Sequence, residues 1–117
     1  MLHVYGIPNC DTVKKALVWL REHKVEFTFH DFKQLNVGLD RLDRWTRAVG
    51  WELLLNRKGT SWRKLDEALR NTVVNANTAH QIMRAHPSTI KRPVVEWPDG
   101  TITVGFDEAR YAELMER

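Results

Sequence analysis

Apolar positions recur along this chain with two different periods, and the switches between them mark out its elements. Leu2, Val4 and Tyr5 form a short apolar run that ends in the loop Gly6-Ile7-Pro8-Asn9, predicting a strand over residues 2–5. Val13, Ala16, Leu17 and Leu20 then fall at i, i+3, i+4 and i+7, one face of a helix that starts just after Cys10 and runs to about His23. From Val25 to Phe32 the apolar residues alternate with polar ones, the period of a half-buried strand. Strand, helix and strand in this order make a βαβ unit, with parallel strands and a right-handed crossover.

The period-two pattern then disappears over an approximate helical insertion, residues 38–90. Leu39, Leu42, Thr46 and Val49 trace one helix face, with Gly50 as its stop. Trp51 to Leu55 is an apolar run that either ends this helical region or begins the next. Thr60-Ser61 offers an N-cap for a helix bearing Trp62, Leu65 and Leu69, while Ala79, Ile82 and Met83 predict another, stopped near His86-Pro87. Beyond it, Pro93–Trp97 and Thr101–Val104 flank Pro98-Asp99-Gly100, an antiparallel hairpin. Asp107 is a good N-cap for a last helix, with Phe106 and Tyr111 placed as a hydrophobic staple and Tyr111, Leu114 and Met115 facing the core.

A βαβ unit followed by ββα, with a cysteine opening the first helix, is the thioredoxin-like arrangement. The expectation is therefore an α/β (α+β) fold in one domain over residues 1–117, with a four-stranded mixed sheet and the helical insertion between its halves. In that arrangement a proline just before the third strand lies beside the active thiol, usually after a cis peptide bond. Pro93 stands in that place, although a proline opening an edge strand would read the same way.

Composition narrows the chemistry. The 117 residues carry a net charge of +3 with no dense Lys/Arg block, which favours small anions over direct nucleic-acid binding. No apolar run approaches the roughly 18 residues of a membrane span, and no signal-peptide pattern opens the chain, so a cytoplasmic protein without membrane contact is expected. The five histidines lack the spacing of a zinc motif, so no metal site is expected and packing or solvated roles are assigned to them. The single cysteine cannot close an internal disulfide.

Cys10 sits where a thiolate is stabilised, at a helix N-terminus with free N–H groups and the positive end of the helix dipole. Lys14, one turn on, would bring an ammonium near the sulfur, whereas the Asp11 carboxylate opposes the anion. A lone cysteine is also commonly just a small buried hydrophobe. With no second cysteine, any redox cycle at Cys10 must draw its resolving thiol from another molecule.

Three ordered motifs carry a resemblance over nearly the whole chain: Tyr5-Gly6-Ile7-Pro8-Asn9-Cys10-Asp11-Thr12-Val13-Lys14-Lys15-Ala16, Leu55-Asn56-Arg57-Lys58-Gly59-Thr60-Ser61-Trp62-Arg63, and His86-Pro87-Ser88-Thr89-Ile90-Lys91-Arg92-Pro93-Val94. Together they resemble the arsenate reductase ArsC/Spx family, with the YffB-like proteins as the nearest branch. The resemblance implies a thioredoxin-like fold, a nucleophilic Cys10, anion-binding Arg57 and Arg92, and an active-site Pro93. Asn9 and Lys14 complete the expected binding set. It further implies no permanently bound cofactor, glutathione as co-substrate, glutathione or glutaredoxin as the source of the resolving thiol, and an oxyanion or disulfide as substrate.

Two departures from the family pattern bear on function. Arsenate reductases carry a further arginine where Gly105 stands, and its loss removes a bidentate donor from an oxyanion cage. Spx regulators often carry a Cys-x-x-Cys switch, but Val13 occupies the second position. The expected function is a glutathione-dependent thiol oxidoreductase; the alternative is a non-enzymatic Spx-like protein that binds RNA polymerase or another protein. Arsenate reduction ranks third.

Overall fold

In the computed structural model, which describes residues 1–116, strand β1 (Leu2–Gly6) lies at the centre of a four-stranded sheet. It pairs in parallel with β2 (Phe27–Asp31) and antiparallel with β3 (Val94–Glu96), which pairs antiparallel with β4 (Ile102–Val104). The strand order β2-β1-β3-β4, with helices α1 (Asp11–Glu22) after β1 and α7 (Glu108–Met115) after β4, is the expected thioredoxin-like βαβ and ββα.

The described chain divides into two compact units. Met1–Gln34 and the segment from Arg92 onward form the sheet unit, and Leu35–Lys91 the helical one. In the sheet unit the alternation along β1 sends Leu2 and Val4 into a core with Ala16, Trp19 and Leu20 of α1, Val95 and Trp97 of the hairpin, and Tyr111 and Leu114 of α7. Phe27 and Phe29 of β2 pack against it, which explains the period-two pattern there. Asp107 caps α7 by accepting from the Arg110 N–H at 3.2 Å. The staple closes as Phe106 meets Tyr111 edge to face at 5.0 Å between ring centroids.

Met115 is a correction. It is 39% exposed, because α7 buries only Tyr111 and Leu114.

The helical unit holds α2 (Leu39–Val49), α3 (Trp51–Leu54), α4 (Thr60–Arg63), α5 (Glu67–Arg70) and α6 (Ala76–Ala85), then a 3-10 turn at Pro87–Thr89. Leu55 and Ile90 form an antiparallel bridge, a strand-like contact within a region read as wholly helical. Gly50 ends α2 and leads directly into α3, so the Trp51 run begins a new element. Leu39, at the opening of α2, is exposed; the buried residues of the helix are Leu42 and Trp45, further in.

The helix expected from Thr60 through Leu69 is two single turns. Gly59 is the N-cap of the first, and Asp66, in an extended conformation (φ −55°, ψ 138°), interrupts the ladder and starts the second. α6 carries a capping box not anticipated from sequence, in which Asn75 Oδ1 accepts from the Thr78 N–H at 3.0 Å and Thr78 Oγ1 accepts from the Asn75 N–H at 3.1 Å. The tryptophans divide between the units. Trp19 and Trp97 are core residues of the sheet unit, and Trp45 is fully buried in the helical one.

Burial also sets a pH response in the helical unit. His80 is buried on α6 with Nε2 2.8 Å from Thr46 Oγ1, and desolvation lowers its pKa from the ordinary 6.5, the Asp43 carboxylate partly opposing the shift. The unfolded chain then binds the proton more readily, so this contribution is complete above the unfolded value and is lost as pH falls from there through the lower folded value. The urea midpoint of the wild type is expected to drop more between about pH 7 and about pH 5 than that of His80→Gln, whose amide can keep the Thr46 bond. Parallel curves for the two proteins would refute this role of His80.

Candidate functional site

Cys10 takes its position from the residues before it. Gly6 ends β1 beside α1, and a Cβ there would lie 2.9 Å from Val13 Cγ2, so only glycine lets the strand pass this close to the helix. The chain then turns through Ile7, Pro8 and Asn9 to Cys10, the N-cap of α1, with extended φ −138° and ψ 125°. The Cys10 carbonyl accepts the first helical bond from the Lys14 N–H at 2.9 Å, but its side chain caps nothing. The thiol is free and partly exposed, while Asn9, Asp11 and Lys14 are exposed around it.

Pro93 comes to the same end of the sheet. Tyr5 of β1 is the register partner of Val94, so Pro93 lies one residue beyond the strand, level with the exit of β1 toward Cys10. The Arg92–Pro93 peptide bond is cis, as the arrangement predicts. Pro93 is buried and Arg92 half-buried. On the other side the Gly105 N–H donates to the Pro93 carbonyl at 2.9 Å, and the Gly105 carbonyl accepts from the Tyr111 hydroxyl at 3.0 Å. Cys10, the Arg92-Pro93 pair and Gly105 are thus gathered at one sheet end.

Gly105 has φ +79°. An arginine there would bear a backbone cost of about 1–2 kcal/mol.

Arg57 belongs to the helical unit. It is exposed, with its guanidinium 5.4 Å from the Trp51 ring centroid and 4.0 Å from Glu52 Oε2. The latter is a long, solvent-screened pair of little energetic weight.

A second polar group was invisible to sequence reading. His3 Nδ1 and His30 Nε2 lie 2.9 Å apart across β1 and β2, one ring nitrogen donating to the other. Tyr5 stacks on His30 at 4.5 Å and donates its hydroxyl to Glu96 Oε1 at 3.0 Å. The two histidines are 27 residues apart, so a search for local ligand spacing passes over them. Among the described residues no group of three or more His, Cys, Asp or Glu is placed to hold a metal ion, and no helix is long and apolar enough to cross a membrane.

A model of the ArsC family matches residues 5–114, the stretch that contains the thiol loop, the Arg57 segment and the Arg92-Pro93 pair. This chain belongs to the ArsC family. The solved structure of the YffB (PA3664) protein is 46% identical, covers 97% of this chain and 98% of its own, and superposes with a TM-score of 0.92. An arsenate reductase (ArsC) related protein from Brucella melitensis is also 46% identical, covering 99% of this chain and 95% of its own with a TM-score of 0.73. The global transcriptional regulator Spx of Bacillus subtilis is 20% identical over the whole of this chain and 88% of the regulator. The ArsC-family chain is thus YffB-like in sequence and fold, with Spx as a more distant relative.

Proposed function

We propose that this ArsC-family chain is a glutathione-dependent thiol oxidoreductase. The observation that carries the reading is its single thiol, partly exposed at the uncapped N-terminus of α1, at the sheet end that also holds Pro93. The Cys10 thiolate attacks one sulfur of a substrate disulfide. The old S–S bond breaks, its electron pair leaves on the second sulfur, and a mixed disulfide forms on Cys10. An external thiolate, from glutathione or glutaredoxin, then attacks the mixed disulfide and returns Cys10 as thiolate.

Lys14, one turn along α1 from Cys10, adds an ammonium to the binding set for the anionic partner. Arg92 serves as a guanidinium donor to a glutathione carboxylate, a role suited to its fork geometry and implied for Arg57 by the motif resemblance, and Asn9 hydrogen-bonds the bound partner. Cytoplasmic, reducing surroundings suit this cycle.

The test is intact-mass spectrometry of the wild type after exposure to oxidised glutathione. A single adduct on Cys10, removed by reduced glutathione or glutaredoxin, is expected; an unmodified Cys10 under conditions that alkylate it would overturn the reading.

The whole-length likeness to Spx supports a second reading, in which the chain binds RNA polymerase or another protein without turnover. Recovery of polymerase by both wild type and Cys10→Ala, with no glutathione exchange, would select it.

A further inference from the structure

An open groove of about 350 Å³ runs along the side of α1, walled on its other side by the start of α7. Trp19 and Phe106 contribute its apolar surface, together with Val18, which is 49% exposed although it lies mid-helix. Lys14 and Lys15 stand on the half of α1 nearer Cys10 and Glu22 at its far end, with Glu108 on the opposite wall.

The groove residues Lys14, Val18 and Glu22 follow one another in steps of four along α1, and the same step back from Lys14 reaches Cys10, the N-cap residue, so this winding stripe leads from the groove to the residue that carries the thiol. Each step advances about 6 Å along the axis. Two residues of an extended peptide advance about 6.6 Å and bring the side chain back to the same side. A helix stripe read every fourth residue therefore matches an extended chain read every second residue. The charges along the stripe add an order: a cation two residues' reach from the thiol, an apolar patch at four, and an anion at six.

Resting on the thiol-exchange reading, we propose that this groove docks the extended peptide segment beside the disulfide sulfur that Cys10 attacks, so that the substrate is a peptide or protein disulfide. The preferred segment carries an acidic residue two positions from its cysteine, an apolar one at four and a basic one at six. Lys14 and Lys15 meet the acid, Val18 and Phe106 the apolar side chain, and Glu22 the base. The chemistry is unchanged: the S–S bond to the peptide cysteine is exchanged for one to Cys10, and the displaced thiolate carries away the electron pair.

The experiment uses two synthetic peptides, Cys-Thr-Glu-Thr-Leu-Thr-Lys and the same peptide with Glu and Lys exchanged, each joined by a disulfide to thionitrobenzoate. Attack of Cys10 on the peptide sulfur releases the coloured thionitrobenzoate anion, and peptide bound to Cys10 is read by mass. At low salt the first peptide is expected to react about tenfold faster, the effect of turning two weak attractive pairs into repulsive ones. Added salt should shrink the ratio, and Glu22→Lys should narrow or reverse it. Equal rates for the two peptides, with thionitrobenzoate still released by Cys10, would overturn the groove and leave the thiol reading standing. No release from either peptide by the wild type would defeat the thiol reading and the groove with it.

Discussion

Cys10→Ser is expected to abolish glutathione exchange, by on the order of 10³-fold or more, and at the same time to stabilise the protein. The loss follows because a hydroxyl neither ionises near neutral pH nor forms a disulfide. The gain follows from the local geometry. Cys10 is the N-cap of α1 in the extended conformation a cap requires, yet its side chain accepts no hydrogen bond. Serine is among the best caps, and its oxygen would accept from the N–H of Thr12 or Val13, worth about 0.5–1 kcal/mol.

Chemical denaturation and exchange kinetics on the same variant check both halves. A chain that uses Cys10 only as a small packing residue would show neither the loss nor the trade. The position leaves a helix cap unmade, and local rules of this kind are the ones that functional positions break.

That contrast explains how much was legible. The sheet unit was readable because its signals are local. The run before Gly6, the i, i+3, i+4 stripe from Val13 to Leu20, and the Phe106-Asp107-Tyr111 staple each specify an element within a dozen residues. Cys10 and Pro93 were readable for a related reason, since both sit at punctuation marks that open an element.

The helical unit was harder. Helices of four residues such as α4 and α5 barely complete one turn, so periodicity cannot separate them from the single helix their apolar residues suggest. Leu39 and Met115 fit helical stripes, but a helix end can leave its core while the pattern continues. The His3 and His30 pair, the Tyr5 to Glu96 bond and the Leu55 to Ile90 bridge join residues far apart in sequence, and no local pattern encodes such partners. The motif resemblance supplied what periodicity could not, a reason to weigh Arg57 and Arg92 above the other basic residues.

Tyr111 links the core to this end of the sheet, and its replacement carries the largest expected stability effect. The ring is 1% exposed and meets Trp19, Trp97 and Phe106 edge to face at 5.6, 5.0 and 5.0 Å. Its hydroxyl donates to the Gly105 carbonyl at 3.0 Å, and burial pushes the phenol well above its ordinary range, the Thr103 hydrogen bond opposing the shift, so it stays a donor at any physiological pH. Tyr111→Ala removes three aromatic contacts and leaves a cavity, at about 3–5 kcal/mol, close to the whole stability of many small domains.

Tyr111→Phe isolates the hydroxyl: the rings stay packed, the Gly105 carbonyl loses its donor, and the cost is about 1–2 kcal/mol. Because the Gly105 N–H is bonded to the Pro93 carbonyl, the loss should spread to the wall beside Cys10. In the phenylalanine variant the Gly105 amide is expected to exchange with deuterium faster than the amides of β1, beyond the change in global stability. Equal acceleration at Gly105 and β1 would confine Tyr111 to packing. A selective acceleration, joined to slower glutathione exchange at Cys10, would make its hydroxyl the brace that holds the proline side of the site in place.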